Sequence, residues 1–287
     1  MPVRFPSVAG MFYPASQQAC RQQVEEYLKR AKALQTERPI RGGVVPHAGW
    51  DYSGPTAAQV FSALDTQDPP ETIVLFGAVH RWGVISASMY GSGKWRTPLG
   101  DLSVDQELAQ EVLRVKGGLI VDSPGAHRGE HSIEVQLPFI IHLFPHTRIL
   151  PIAVPPSPTS HKVGAQVADA ARALGRTTLA IGTSDLTHYG PRYGFAPVGL
   201  GDQALGWVKE NDARVLDLMV QMRAEEVVEE AQQHRNACGA GAIAASIAYA
   251  AELGATTGMV LHHTNSHEVM PMGPPTDMVG YAAVIFS

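Results

Sequence analysis

Only two cysteines occur in 287 residues, so no disulfide framework can brace the chain and each thiol needs its own explanation. Charge is also sparse. Asp, Glu, Lys and Arg make up 17% of the sequence, with 22 basic against 27 acidic side chains and a net charge of −5. Lysines and arginines nowhere gather into the dense stripes that neutralise phosphates, so nucleic acid is not an expected partner. Long apolar runs are missing as well. The longest stretch of low polarity, Cys238 to Ala251, ends at Glu252, short of the ~18 apolar residues that span a bilayer. The first fifteen residues carry Arg4 and three prolines instead of a basic end followed by an apolar block. No signal peptide, no membrane segment and a cytoplasmic location with reduced thiols are therefore expected. No internal repeat recurs at a fixed period.

What is present is ample hydrophobic material, 45% of the chain, with 28 glycines and 21 prolines spread without a collagen or linker period. That composition excludes a disordered chain. Ser16 caps a helix over Gln17–Lys32, whose Cys20, Val24, Tyr27, Leu28 and Ala31 share one face. From there β-branched runs alternate with helical stretches. Strands are expected at Gly42–Pro46, Thr72–Phe76, Leu119–Val121, Arg148–Val154, Thr178–Ile181, Thr257–His262 and Val279–Phe286. Helices are expected at Pro55–Leu64, Val104–Val115, His131–Leu143, Lys162–Leu174, Gln203–Met219, Ala224–Gln232 and Ala240–Leu253. The repeated βα order argues for an α/β fold, one layered domain over residues 1–287 with a central, largely parallel sheet flanked by helices. The Pro-rich Pro151–Pro158 follows a strand directly and reads as a loop, not a linker.

Twelve histidines outnumber the eight Phe and the eight Tyr, and their positions carry more information than their number. His47 and His80 each follow a buried strand, and Asp185 and His188 follow a third. Taken singly, each of these histidines is equally a loop residue bonded to backbone. Together they converge on the C-terminal ends of parallel strands, where α/β sheets bind ligands. Glu130 and Glu134 begin an expected helix, where acidic groups also suit the dipole. His131 does not, because a cationic ring is disfavoured there, and it is expected to face the pocket. Cys238 lies just before a helix, where backbone N–H groups favour the thiolate that binds metal or attacks electrophiles. Cys20, on an apolar helix face, is expected to be inert. Gly239, Gly241 and Ala244 match a G-x-G-x-x-A pattern, but no apolar strand precedes them, so a dinucleotide site is discarded. Two imidazoles and a thiolate, His47, His80 and Cys238, make a donor set for zinc, copper or iron with one coordination position left open, as in catalytic sites. His188 then serves as acid or base, with Asp185 fixing its tautomer.

At these residues the sequence resembles the Memo family, whose bacterial members are called AmmeMemoRadiSam system protein B. The resemblance runs through Val8–Pro14, Pro46-His47-Ala48-Gly49-Trp50-Asp51-Tyr52-Ser53-Gly54, Trp95–Gly100, Glu130-His131-Ser132-Ile133-Glu134, Ser184-Asp185-Leu186-Thr187-His188-Tyr189, Cys238-Gly239 and Gly280–Val284. It implies a single α/β domain like that of class III extradiol dioxygenases. It also implies a metal held by two His and one Cys, here His47, His80 and Cys238, with Asp185 and His188 lining the same pocket. The chain departs from the family at Ala78-Val79-His80-Arg81, where Pro-Ser-His-His is usual, and at Ala242, where Pro is common. The family's name implies AMMECR1-type and radical-SAM proteins as partners. Ring cleavage does not follow, since the dioxygenases place a carboxylate where Cys238 stands.

Three functions are compatible with these residues. The first is a redox enzyme using iron or copper at His47, His80 and Cys238, with His188, Asp185 and His131 as catalytic residues acting on a small molecule. The second is a metal-handling or peptide-binding protein without turnover. The third is a metal-free enzyme with Cys238 as nucleophile, activated by His188.

Overall fold

The runs Gly42–Val45, Thr72–Gly77, Arg148–Ala153 and Thr178–Thr183 are apolar at nearly every position instead of alternating, which requires that both faces be covered. The computed structural model describes residues 2–32, 36, 38–115 and 118–287. In chain order these form β1 (Val3–Arg4), α1 (Gln17–Arg30), β2 (Gly42–Val45), α2 (Trp50–Ala63), β3 (Thr72–Gly77), β4 (Ala87–Met89), β5 (Lys94–Thr97) and β6 (Gly100–Ser103). There follow α3 (Gln106–Leu113), β7 (Ile120–Asp122), α4 (Leu137–Leu143), β8 (Arg148–Ala153), α5 (Ser160–Ala173), β9 (Thr178–Thr183) and β10 (His188–Tyr189). The chain closes with α6 (Asp202–Val220), α7 (Val227–His234), α8 (Ala240–Glu252), β11 (Gly258–Asn265), α9 (Ser266–Val269) and β12 (Met278–Phe286).

The sheet runs β10-β12-β2-β9-β3-β8-β4-β7, with β11 also paired to β12. Its centre, β2-β9-β3-β8, is parallel. Its flanks turn antiparallel where β12 meets β2 and β4 meets β8. Helices cover both faces. One apolar layer includes Trp50, Phe61, Phe76 and Phe139, and the other joins Val215, Met219, Ile243 and Phe286. The expected α/β architecture is thus observed, with no described helix long and apolar enough to cross a membrane.

Five strands escaped the sequence reading, among them the two-residue β1 and β10. β4, β5 and β6 are only three or four residues long, and β5 and β6 join β1 in a separate small sheet. Pro55 does not open its helix. Residues Trp50–Gly54 already form a turn ahead of it, held because Trp50 is buried and its indole N–H donates to the Val135 carbonyl (3.0 Å). The expected helix over His131–Leu143 is corrected more sharply. Only Leu137–Leu143 is α-helical, after a short tight turn at Glu134–Gln136. Residues 130–134 are held by bonds to their buried carboxylates instead of by a helical ladder, so Glu130 and Glu134 do not serve a helix dipole.

Small residues set the spacing behind the sheet. α8 (AGAIAASIAYAAE) packs across α5 at Gly164, where a Cβ would stand 1.9 Å from the Ala245 carbonyl oxygen. No side-chain rotation relieves a clash with backbone. The Gly164→Ala variant is expected to lose about 1–3 kcal/mol, the range for overpacked cores, as a lower midpoint in urea unfolding. An unchanged midpoint would show that the two helices can part without cost.

Candidate metal centre

Glu130 organises the site. Its buried carboxylate accepts the His80 amide (2.8 Å), the His80 Nδ1–H (3.0 Å), the His131 amide (2.8 Å) and the Ser132 amide (3.0 Å). Burial alone would raise its pKa, but these donors overcome that and hold it well below the usual carboxylate range. With Nδ1 committed, the Nε2 of His80 is the nitrogen left for a ligand. A carboxylate behind a histidine is the usual support for a metal-bound imidazole.

Three imidazoles meet here. The rings of His47 and His80 lie 5.0 Å apart, those of His80 and His131 4.8 Å and those of His47 and His131 5.5 Å. One nitrogen from each comes within 4.8 Å of the others, a spacing that can hold a metal ion. His47 sits at the end of β2 and is 1% exposed. Its backbone N–H donates to Asp185 Oδ1 (2.7 Å). It has no outer partner like that of His80, because its buried Nδ1 finds none among the described residues.

Cys238, ahead of α8, lies against His47 and is not one of the three side chains that share this spacing. Its Sγ lies 3.2 Å from His47 Nε2. Its amide donates to the Asp185 carbonyl (3.1 Å), and the next amide, Gly239, to Ser184 Oγ (2.9 Å). Glycine is required at 239, since a Cβ would lie 2.2 Å from the Thr183 carbonyl oxygen. Burial opposes ionisation of the Cys238 thiol, yet the adjoining His47 and His80 outweigh it and bring the pKa down to about 7. Burial likewise pulls His80 down, but its bonds to Cys238 and Glu130 raise it to about 10. Burial and the charge of His80 together lower His131 to about 4. These shifts favour a proton on His80, between the Glu130 carboxylate and the Cys238 sulfur.

Asp185 is placed differently from the sequence expectation. The His188 Nδ1 bonds the Leu186 carbonyl (3.0 Å), so a main-chain oxygen fixes the His188 tautomer. Asp185, pushed up by burial against the pull of His188 and the His47 amide, anchors the backbone of His47. The nearest imidazole to the thiol is His47, not His188. His47, His80, His131, Asp185 and His188 line one cavity of about 600 Å³.

Glu130 and Phe12 were not singled out as site residues from sequence. Glu130 was read as a helix-dipole residue, and its role appears only once His80, fifty positions away, is folded onto it. Phe12 arrives on a strap over residues 5–13. The strap is clamped by Glu134, which accepts the Ser7 and Val8 amides, the Tyr13 hydroxyl and the Arg4 guanidinium. The Phe12 ring meets His131 edge-on at 4.9 Å.

A family model described as Memo-like protein matches residues 4–285. A MEMO1 family protein of Pyrococcus abyssi is 36% identical over 292 aligned residues, with 99% of each chain covered. MEMO1 family proteins of Methanosarcina acetivorans and Thermococcus kodakarensis are 35% and 34% identical, again with 99% of each chain covered. Among solved structures, an uncharacterized protein of Escherichia coli K12 aligns at TM-score 0.48 and 11% identity, covering 84% of this chain and 99% of that one.

Two outcomes follow from this geometry. Glu130→Gln keeps the shape but removes the charge behind His80, and metal affinity is expected to fall 10- to 100-fold; equal affinities in competition titrations would remove Glu130 from the site. In metal-free protein, iodoacetamide should alkylate Cys238 with a rate that falls as pH drops through about 7. Cys20, buried and raised to about 12, should stay silent. A Cys238 midpoint near the ordinary thiol value would contradict the contacts described.

Proposed function

The chain belongs to the Memo family, and from that premise we propose that His47, His80 and Cys238 hold one iron or copper ion that supports redox or O2-linked chemistry on a small molecule. The observation that carries this reading is the donor set itself. A partly buried thiol with a lowered pKa touches one imidazole, and a second imidazole has its far nitrogen tied to a carboxylate. Thiolate with imidazole suits iron, copper or zinc and disfavours magnesium or calcium. His131 offers a further nitrogen at the same place.

Such an ion, when bound, supplies Lewis acidity and, for iron or copper, one-electron redox capacity. The remaining work belongs to the chain. His188, with Nδ1–H given to the Leu186 carbonyl, keeps Nε2 free to accept or return a proton from a molecule in the cleft. Asp185 holds the His47 main chain in register. Phe12 closes the wall beside His131 and limits water there.

The contact between Cys238 and His47 also favours a second reading, a metal-free thiolate–imidazole pair that acts as nucleophile and base. A non-catalytic metal-handling or peptide-binding role uses the same cleft. Anaerobic loading with Fe(II) or Cu(I) followed by elemental analysis separates them. One metal per wild-type chain is expected, with strong loss in His47→Ala, His80→Ala and Cys238→Ala, and with Cys238 protected from alkylation by the metal. Wild-type and Cys238→Ala protein equally empty, with Cys238 alkylated at the same rate whether or not metal is added, would establish the nucleophile instead. Stoichiometric metal without O2 uptake on catechol-like or other oxidisable compounds would establish metal handling.

A further inference from the structure

The cleft has a second end that metal binding leaves unused. Beside His188 its wall is made by Tyr52 from the first turn of α2, Arg192 and Tyr193 from the turn after β10, and Tyr281 of β12, with the Tyr193 ring edge-on to His188 at 5.0 Å. The hydroxyls of Tyr52 and Tyr193 find no acceptor among the described residues, and neither does the Arg192 guanidinium pair with a carboxylate. Asp277 Oδ1 accepts the Arg192 backbone N–H (2.9 Å). Asp185, the other acid of the cleft, is occupied by the His47 amide.

Phenol hydroxyls and a guanidinium are donors, and those of Tyr52, Tyr193 and the solvent-exposed Arg192, beside a Tyr281 hydroxyl bonded to Ser266, are matched by a ligand group that only accepts and carries negative charge. An amide or an ammonium would leave several of these donors unpaired and desolvated. Burial raises Tyr193 and Tyr281, so both remain protonated donors throughout the neutral range. The cavity, about 600 Å³, has room for a small molecule with one ring.

We propose that Tyr52, Arg192, Tyr193 and Tyr281 form a carboxylate-binding subsite, so that the molecule presented to the His47 end is a small organic acid. The second clause rests on the metal reading above, whereas the subsite does not. Its test therefore uses the full chain kept metal-free with chelator, so that a carboxylate cannot report binding through an ion. Calorimetric titration with phenylacetate, phenylacetamide and phenyl phosphate is expected to show one phenylacetate site, at least about tenfold tighter than the other two compounds. Tyr193→Phe and Arg192→Gln should each weaken phenylacetate about tenfold, with wild-type thermal unfolding and wild-type iron stoichiometry. His47→Ala should lose iron and keep phenylacetate. Equal binding of acid and amide, no binding of the acid, or preference for phenyl phosphate would overturn the carboxylate assignment. So would phenylacetate binding that vanishes in His47→Ala but survives in Arg192→Gln. Failure of iron loading with phenylacetate binding intact would instead remove the metal reading and leave the subsite standing.

Discussion

One buried carboxylate, Glu130, holds the candidate centre together. It takes four N–H donors from His80, His131 and Ser132, while its own carbonyl receives the Arg4 guanidinium (2.5 Å). A charge that is 3% exposed is costly unless it is fully bonded. That cost makes the arrangement rigid, because loosening any donor exposes an uncompensated anion to an apolar surround. Two of the three clustered imidazoles are thereby fixed relative to each other before any ligand arrives. The third, His47, is fixed by a different carboxylate through its main chain.

Much of this was legible in the sequence, and the reason is geometric. A parallel strand buried on both faces announces itself as a short apolar run, and whatever follows it must emerge at one edge of the sheet. His47, His80, Asp185 and His188 were found by that rule alone. Cys238 was legible as a thiol just ahead of a helix, and Gly239 shows why it can approach β9 so closely. Hydrogen-bond partners were not legible. Asp185 and His188 are three residues apart and invite pairing, but the chain turns so that one meets the His47 amide and the other the Leu186 carbonyl. The spacing of Glu130, His131 and Glu134 invited a helix, and nothing local in it discloses that both carboxylates are consumed elsewhere. The short strands β1, β4 to β6 and β10 were missed because they lack the apolar, β-branched runs that disclosed the equally short β2 and β7.

The electrostatics of the cluster are self-referential. Cys238 is acidic because imidazoles adjoin it, and His80 is basic because Cys238 and Glu130 adjoin it. A cation held at His80 would have to displace the proton there and would itself balance the neighbouring anions, so its binding would release a proton and acid would compete with it. His131, already neutral because burial and His80 lower it, needs no proton removed before it can bind a metal.

The strap over residues 5–13 places a constraint on assembly. Its clamp, Glu134, is more than 120 positions away in sequence, and the partner of His47, Cys238, is 191 positions away. Contacts of such separation form only after long loops have closed. The candidate centre is consequently complete only once folding has brought both ends of these contacts together, and no single element of the chain forms it alone.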